Sequence, residues 1–148
     1  MGNTVLDLRY EFPRSPKETL DGIVHFARII DKVRAKRAGL IGEYIYPCPL
    51  DQMFLAFFKI EAEDFFEAIQ NKEDAEIAVW LKKHCVQHNT EEIAQWNQNF
   101  LHRKPASPEE ETHFLEQRNR LAPERKDIET WVDLLDLDEG RDVPLKNP

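Results

Sequence analysis

Apolar positions recur along most of this chain with the period of a helix rather than of a strand. Leu50, Phe54, Phe57 and Phe58 fall at i, i+4, i+7 and i+8, and Ala62, Phe65, Phe66 and Ile69 at i, i+3, i+4 and i+7, each set forming one buried helical face. Ile77, Trp80 and Leu81 mark a further helix. Thr90 is the predicted N-cap of a helix burying Ile93, Trp96, Phe100 and Leu101, and Ser107-Pro108-Glu109-Glu110 reads as a capping box before a more polar helix. A last helix buries Ile128, Trp131, Val132 and Leu135. Near the start, Ser15-Pro16-Lys17-Glu18 is a second capping box with proline at the first helical position, where its missing N–H is no loss. It predicts one long helix running to about Ala38, stopped by Gly39 in the left-handed conformation. Only residues 4–10 (TVLDLRY) and 40–46 (LIGEYIY) read as strands, each ended by prolines, and the two can pair. The pattern predicts a mainly α protein: a compact single-domain helical bundle over residues 1–148, with six or seven helices and at most a short two-stranded β ribbon.

Length and composition agree with one core, since a domain of 148 residues buries roughly two-thirds of its extended-chain surface. Apolar residues make up 41% of the chain, with nine phenylalanines and three tryptophans, so disorder is not the expectation. No apolar run approaches the roughly 18 residues of a membrane span, and the N-terminus has neither a secretion signal nor the Ser or Thr of a myristoylation motif. Cys48 and Cys85 stand outside any CxxC pattern, which fits a reducing compartment, so the expected location is the cytoplasm.

Charge is unevenly spread. The net value of −8 argues against a nucleic-acid binder, whose affinity comes from Lys and Arg displacing counterions. Yet residues 28–37 carry Arg28, Lys32, Arg34, Lys36 and Arg37 against the single Asp31, while residues 127–142 carry seven acids against Arg141.

Projecting the long helix at about 100° per residue places Leu20, Ile23, Val24, Ala27 and Ile30 on one face, with Asp31 and Arg34 inside the same sector. Buried charges need partners, so these two should pair with each other or with a third group. Either the pair is structural, or Asp31 holds an Arg34 fork aimed at an anion. His25, Arg28 and Lys32 fall along the opposite, polar flank, where such rows are usually solvated. The stretch GEYIYPCPLDQ, residues 42–52, adds Glu43, Tyr44, Tyr46, Cys48 and Asp51, which with His25 can supply acid, base and hydrogen-bond donors. As a nucleophile Cys48 looks poorly placed, because no helix start with free N–H groups is apparent beside it.

His84 and His88 read as an i, i+4 pair on one helix face, but no second ligand pair accompanies them, so no metal site is expected. With five glycines and no GxGxxG, Walker or GxSxG motif, the chain predicts no cofactor.

Four runs carry a resemblance: PRSP at residues 13–16, RIIDKVRA at 28–35, GEYIYPCPLD at 42–51 and TWVDLLDLDEGR at 130–141. In these the chain resembles the bacterial proteins grouped as domain of unknown function 5069. The resemblance spans most of the chain, is weakest over about 73–126, and implies a stand-alone intracellular bacterial protein with no implied activity. The residues singled out on physical grounds lie in its signature segments.

Two function classes follow. The first is a non-enzymatic binding or regulatory protein that accepts an anionic small molecule or an acidic partner segment through its basic helix and tyrosine corner. The alternative is a small enzyme using His25, Cys48, Asp51 and a tyrosine in acid–base chemistry.

Overall fold

The computed structural model describes residues 4–146, and among them are seven α-helices and one two-stranded antiparallel sheet. The elements run β1 (Thr19–Leu20), β2 (Ile23–Val24), α1 (Phe26–Ala38), α2 (Pro49–Phe58), α3 (Ala62–Ala68), α4 (Asp74–His84), α5 (Thr90–Leu101), α6 (Pro108–Leu121) and α7 (Trp131–Asp138). Residue contacts divide the chain into two compact units, Met1–Ile93 and Ala94–Pro148.

In the first unit α1 is the central element. Phe26, Ile29, Ile30 and Val33 are fully buried, as are Phe54 of α2, Phe65 of α3 and Ile77 of α4. The Phe54 ring lies 5.2 Å from Phe26, 5.0 Å from Phe58 and 6.1 Å from Phe65, centroid to centroid, so one aromatic cluster ties three helices together. In the second unit Phe114 of α6 meets Trp131 of α7 edge-on at 5.1 Å, within a core that includes Ile128, Leu134 and Val143.

Helix positions from α2 onward follow the apolar periodicity, except that Ile128, expected within the last helix, is buried in the segment before α7, which starts at Trp131. Ser107 caps α6, accepting from the Glu110 N–H at 3.1 Å, and Gly39 ends α1 at φ 75° with its N–H on the Ala35 and Lys36 carbonyls. The cap of α5 sits one residue earlier than the expected Thr90: Asn89 Oδ1 accepts from the Glu92 N–H at 2.8 Å, and Glu92 Oε1 accepts from the Asn89 N–H at 2.8 Å.

The N-terminal quarter differs from the sequence expectation. Residues 15–25 are not helical. Ser15 closes a turn instead, its Oγ accepting from Lys17 N–H at 3.1 Å and its carbonyl from Glu18 N–H at 3.0 Å. A hairpin follows, with Thr19 opposite Val24 and Leu20 opposite Ile23. Its two turn residues, Asp21 at φ 53° and Gly22 at φ 78°, both lie in the left-handed region that a two-residue hairpin of this twist requires. Asp-Gly between Leu20 and Ile23 is a strong hairpin signal, and here it overrides the capping box. Helix α1 starts only after His25, itself left-handed at φ 69°.

Nor do residues 4–10 and 40–46 form strands. Asp7 folds the first segment into a turn, accepting from Arg9 N–H through Oδ1 and from Tyr10 and Glu11 N–H through its carbonyl. The segments still meet where the Leu8 N–H donates to the Leu40 carbonyl at 2.9 Å. Gly42, at φ 62°, permits this approach, because a Cβ there would sit 3.1 Å from the Leu8 carbonyl oxygen.

Candidate functional site

The hairpin brings His25 to the mouth of α1, and the 42–48 corner, which contains a cis Tyr46–Pro47 peptide, delivers Cys48 to the start of α2. Between them lies Asp51, fully buried on the first turn of α2. Its Oδ1 accepts from His25 Nε2 at 2.7 Å; its Oδ2 accepts from Lys32 Nζ at 2.6 Å and from the Cys48 N–H at 3.0 Å. Lys32 Nζ also donates to Cys48 Sγ at 3.2 Å. One carboxylate thus joins two residues from α1 and its cap to the N-cap of α2.

Electrostatics follow from burial. Burial alone pushes the Asp51 carboxyl up, but the donors from His25 and Lys32 outweigh it and hold the group far below the usual carboxylate range. Burial pushes the His25 imidazole down, against the pull of Asp51 and with the help of the Arg28 and Lys32 charges, so the ring is neutral and donates Nε2–H.

This placement corrects two sequence expectations. Arg28 and Lys32 are each only 2% exposed, so the row they form with His25 is no solvated flank. The projection assumed one buried face, whereas α1 is enclosed on both sides, by the aromatic cluster and by the polar residues of the N-terminal segment and the corner. Cys48 also has a helix start beside it: it is the N-cap of α2, with Pro49 at the first helical position.

Asp31 and Arg34 do not pair with each other. Arg14, which the periodicity did not single out, grips Asp31 with its backbone N–H at 2.9 Å and with Nε and Nη2 at 3.0 Å each, and donates Nη1 to Asp74 at 2.9 Å. Arg34 bridges to Asp74 at 3.0 Å and to the Lys72 carbonyl at 3.0 Å. The third group anticipated on charge grounds is therefore Arg14 with Asp74, residues too distant in sequence for spacing to reveal. Since the Arg14 side chain is 28% exposed and keeps Asp74, Asp31→Ala is expected to destabilise by about 1 to 3 kcal/mol. A shift in denaturation midpoint as large as that of a fully buried pair would contradict this arrangement.

The remaining candidates line the corner. Arg28 donates Nη1 to the Arg14 carbonyl at 3.2 Å and lies 5.7 Å from the Tyr44 ring centre. Tyr46 is buried, donates its hydroxyl to the Ala62 carbonyl at 2.8 Å, and receives Lys36 Nζ on its own carbonyl at 3.1 Å. Its phenol is pushed up by burial and by the Asp51 charge. Glu43 is exposed.

His84 and His88 do not share a helix face, because α4 ends at His84. His88 stacks on Phe57 at 3.7 Å and its Nε2 meets the Phe57 carbonyl at 2.7 Å. Among the described residues no group of three or more His, Cys, Asp or Glu side chains is placed to hold a metal. No helix there is long and apolar enough to cross a membrane.

Fold and site together define a mainly α protein in which a buried carboxylate locks a central helix to a cysteine-capped neighbour. The family profile "Domain of unknown function (DUF5069)" matches residues 10–141 of the 148, and the chain belongs to that family. No curated protein matches the chain significantly.

Proposed function

We propose that the protein is a small enzyme of thiol chemistry with Cys48 as its nucleophile. The observation that carries the reading is the Lys32 ammonium, 3.2 Å from Cys48 Sγ and 2.6 Å from Asp51. Positive charge at sulfur and the N-terminal end of a helix are the surroundings in which thiols act as nucleophiles, because both stabilise developing negative charge. Cys48 is the partly exposed member of the cluster, whereas His25, Lys32 and Asp51 are buried behind it. Asp51 acts as a positioning residue: it fixes the direction of Lys32, and His25 fixes Asp51 in turn. Such chemistry requires a reduced thiol, in keeping with a cytoplasmic setting.

The reading of this corner as an anion-binding surface has less support. His25 and Lys32 are turned onto Asp51, so their hydrogen bonds serve the interior.

The test is an activated acyl ester such as 4-nitrophenyl acetate. Attack of Cys48 sulfur on the ester carbonyl forms a thioester and releases nitrophenolate, the thiol proton passing to solvent; hydrolysis of the thioester then returns the thiol. Peptide mapping at short times should show acetyl on Cys48 at least about tenfold faster than on Cys85, whose thiol burial pushes up. Nitrophenolate release should exceed one equivalent per chain, and in Cys48→Ser turnover should be lost, leaving only the slow reaction of Cys85. Equal labelling of the two cysteines, or release that stops at one equivalent, would sink the proposal.

A further inference from the structure

At the start of α2 an amine nitrogen touches a thiol: Lys32 Nζ lies 3.2 Å from Cys48 Sγ. We propose that this pair is a redox modification site, in which a hydroperoxide oxidises Cys48 to its sulfenic acid and Lys32 captures that acid as a covalent sulfur–nitrogen bond, a sulfenamide. This chemistry rests on the reactive Cys48 thiol of the acyl-transfer reading, but it needs no ester turnover.

A sulfenic acid decays by condensing with a second thiol or with a nitrogen, or by further oxidation. Here the second thiol is out of reach. Cys85 is the other cysteine of the chain, and its neighbour Val86 donates its N–H to the Phe58 carbonyl at 3.3 Å, so Cys85 sits at the C-terminal end of α2. Cys48 caps the opposite end, ten helical residues or about 15 Å away, whereas a disulfide needs Cα atoms within about 7 Å. The following backbone nitrogen is closed as well, because it belongs to Pro49 and carries no hydrogen to lose. Lys32 is the nitrogen held at the sulfur, steered there by Asp51 Oδ2 at 2.6 Å. Burial sets the direction of approach. Cys48 is partly exposed and the Lys32 side chain only 3% exposed, so peroxide arrives on the outer side of the sulfur and leaves its oxygen facing away from Nζ. Displacement at sulfur needs that alignment.

In the first step the Cys48 sulfur attacks a peroxide oxygen: the S–O bond forms, the O–O bond breaks, and the thiol proton leaves with the departing water or alcohol. In the second, Lys32 passes a proton to the sulfenic hydroxyl and its nitrogen lone pair forms the S–N bond. The S–O bond breaks, water departs, and the extra proton on nitrogen goes to solvent. Sulfur loses two electrons and the peroxide gains them. A dithiol reductant returns thiol and amine while itself becoming a disulfide. The bond removes the Lys32 charge from the sulfur, so oxidation silences the nucleophile and shields it from the irreversible sulfinic acid.

The test treats the full chain and its Cys85→Ser variant with hydrogen peroxide, then maps the digested peptides by mass spectrometry. The expected product is lighter by two hydrogens, joins the Lys32 and Cys48 peptides, and reverts with dithiothreitol. Lys32→Arg keeps the positive charge but offers a weakly nucleophilic guanidinium, so it should lose the crosslink and carry a sulfenic acid that dimedone traps. Circular dichroism confirms that this variant is folded; the crosslinked peptide pair decides by itself if it is not. No oxidation of Cys48, a sulfenic acid that stays open to dimedone beside an intact Lys32, sulfinic acid without the crosslink, a disulfide-linked dimer, or the same mass loss in folded Lys32→Arg would overturn the assignment. Failed ester turnover leaves it standing, whereas a trapped sulfenic acid without the crosslink overturns it and leaves the reactive thiol intact.

Discussion

Replacing Asp51 by alanine is expected to lower the unfolding free energy by about 3 to 5 kcal/mol, read as a displaced urea midpoint. The side chain is fully buried, and its removal leaves the Lys32 ammonium, itself 2% exposed, without its charged partner. His25 and the Cys48 N–H lose their acceptor in the same step. Acid should act on the same cluster in two stages. Burial holds His25 below its ordinary value of about 6.5, so the unfolded chain takes a proton that the native state refuses; stability is full above about pH 6.5 and falls as the pH drops below it. The Asp51 carboxyl is likewise held low, so its contribution is complete above its ordinary value of about 3.9 and is lost as pH falls through the depressed native value. His25→Gln should abolish the first slope and leave the second. A wild-type stability that stays level from pH 7 down to about pH 5 would contradict the buried neutral imidazole.

Phe54→Ala is expected to be comparably damaging, about 3 to 5 kcal/mol, through loss of apolar contact and the cavity left behind. The ring has no exposure and touches rings from α1, α2 and α3, with His25 a further 6.5 Å away, so no single neighbour can move in to fill the space. Phe57→Ala removes a partly exposed ring stacked on His88 and should shift the melting temperature by less than half as much. Equal shifts for the two variants would mean that the aromatic cluster can collapse around the loss.

How far the sequence was legible depended on whether a signal was local. The caps at Ser107 and Gly39 and the apolar stripes of α2 to α4 lie within a few residues of the structure they dictate, and the helices form there. The capping box at Ser15 was misleading although it too is local, because Asp21-Gly22 six residues on imposes a competing turn. For the candidate site, the residue types in the 42–52 corner pointed to chemistry, but the helix projection split them wrongly. It grouped Asp31 with Arg34 and sent Lys32 to solvent, whereas Lys32 turns inward to Asp51 and Asp31 belongs to Arg14.

By itself the sequence determined the mainly helical class, most helix positions, the family and the set of polar residues that had to find partners, because periodicity, caps and uncompensated charge are properties of short stretches of chain. Only the tertiary structure decided which partners they found. Asp51 meets His25 across 26 residues and Arg14 meets Asp74 across 60. No spacing rule reaches that far. Which carboxylate lies within hydrogen-bonding distance of a buried cation is settled when helices pack, where the penalty for an unpaired charge selects among arrangements the sequence leaves open.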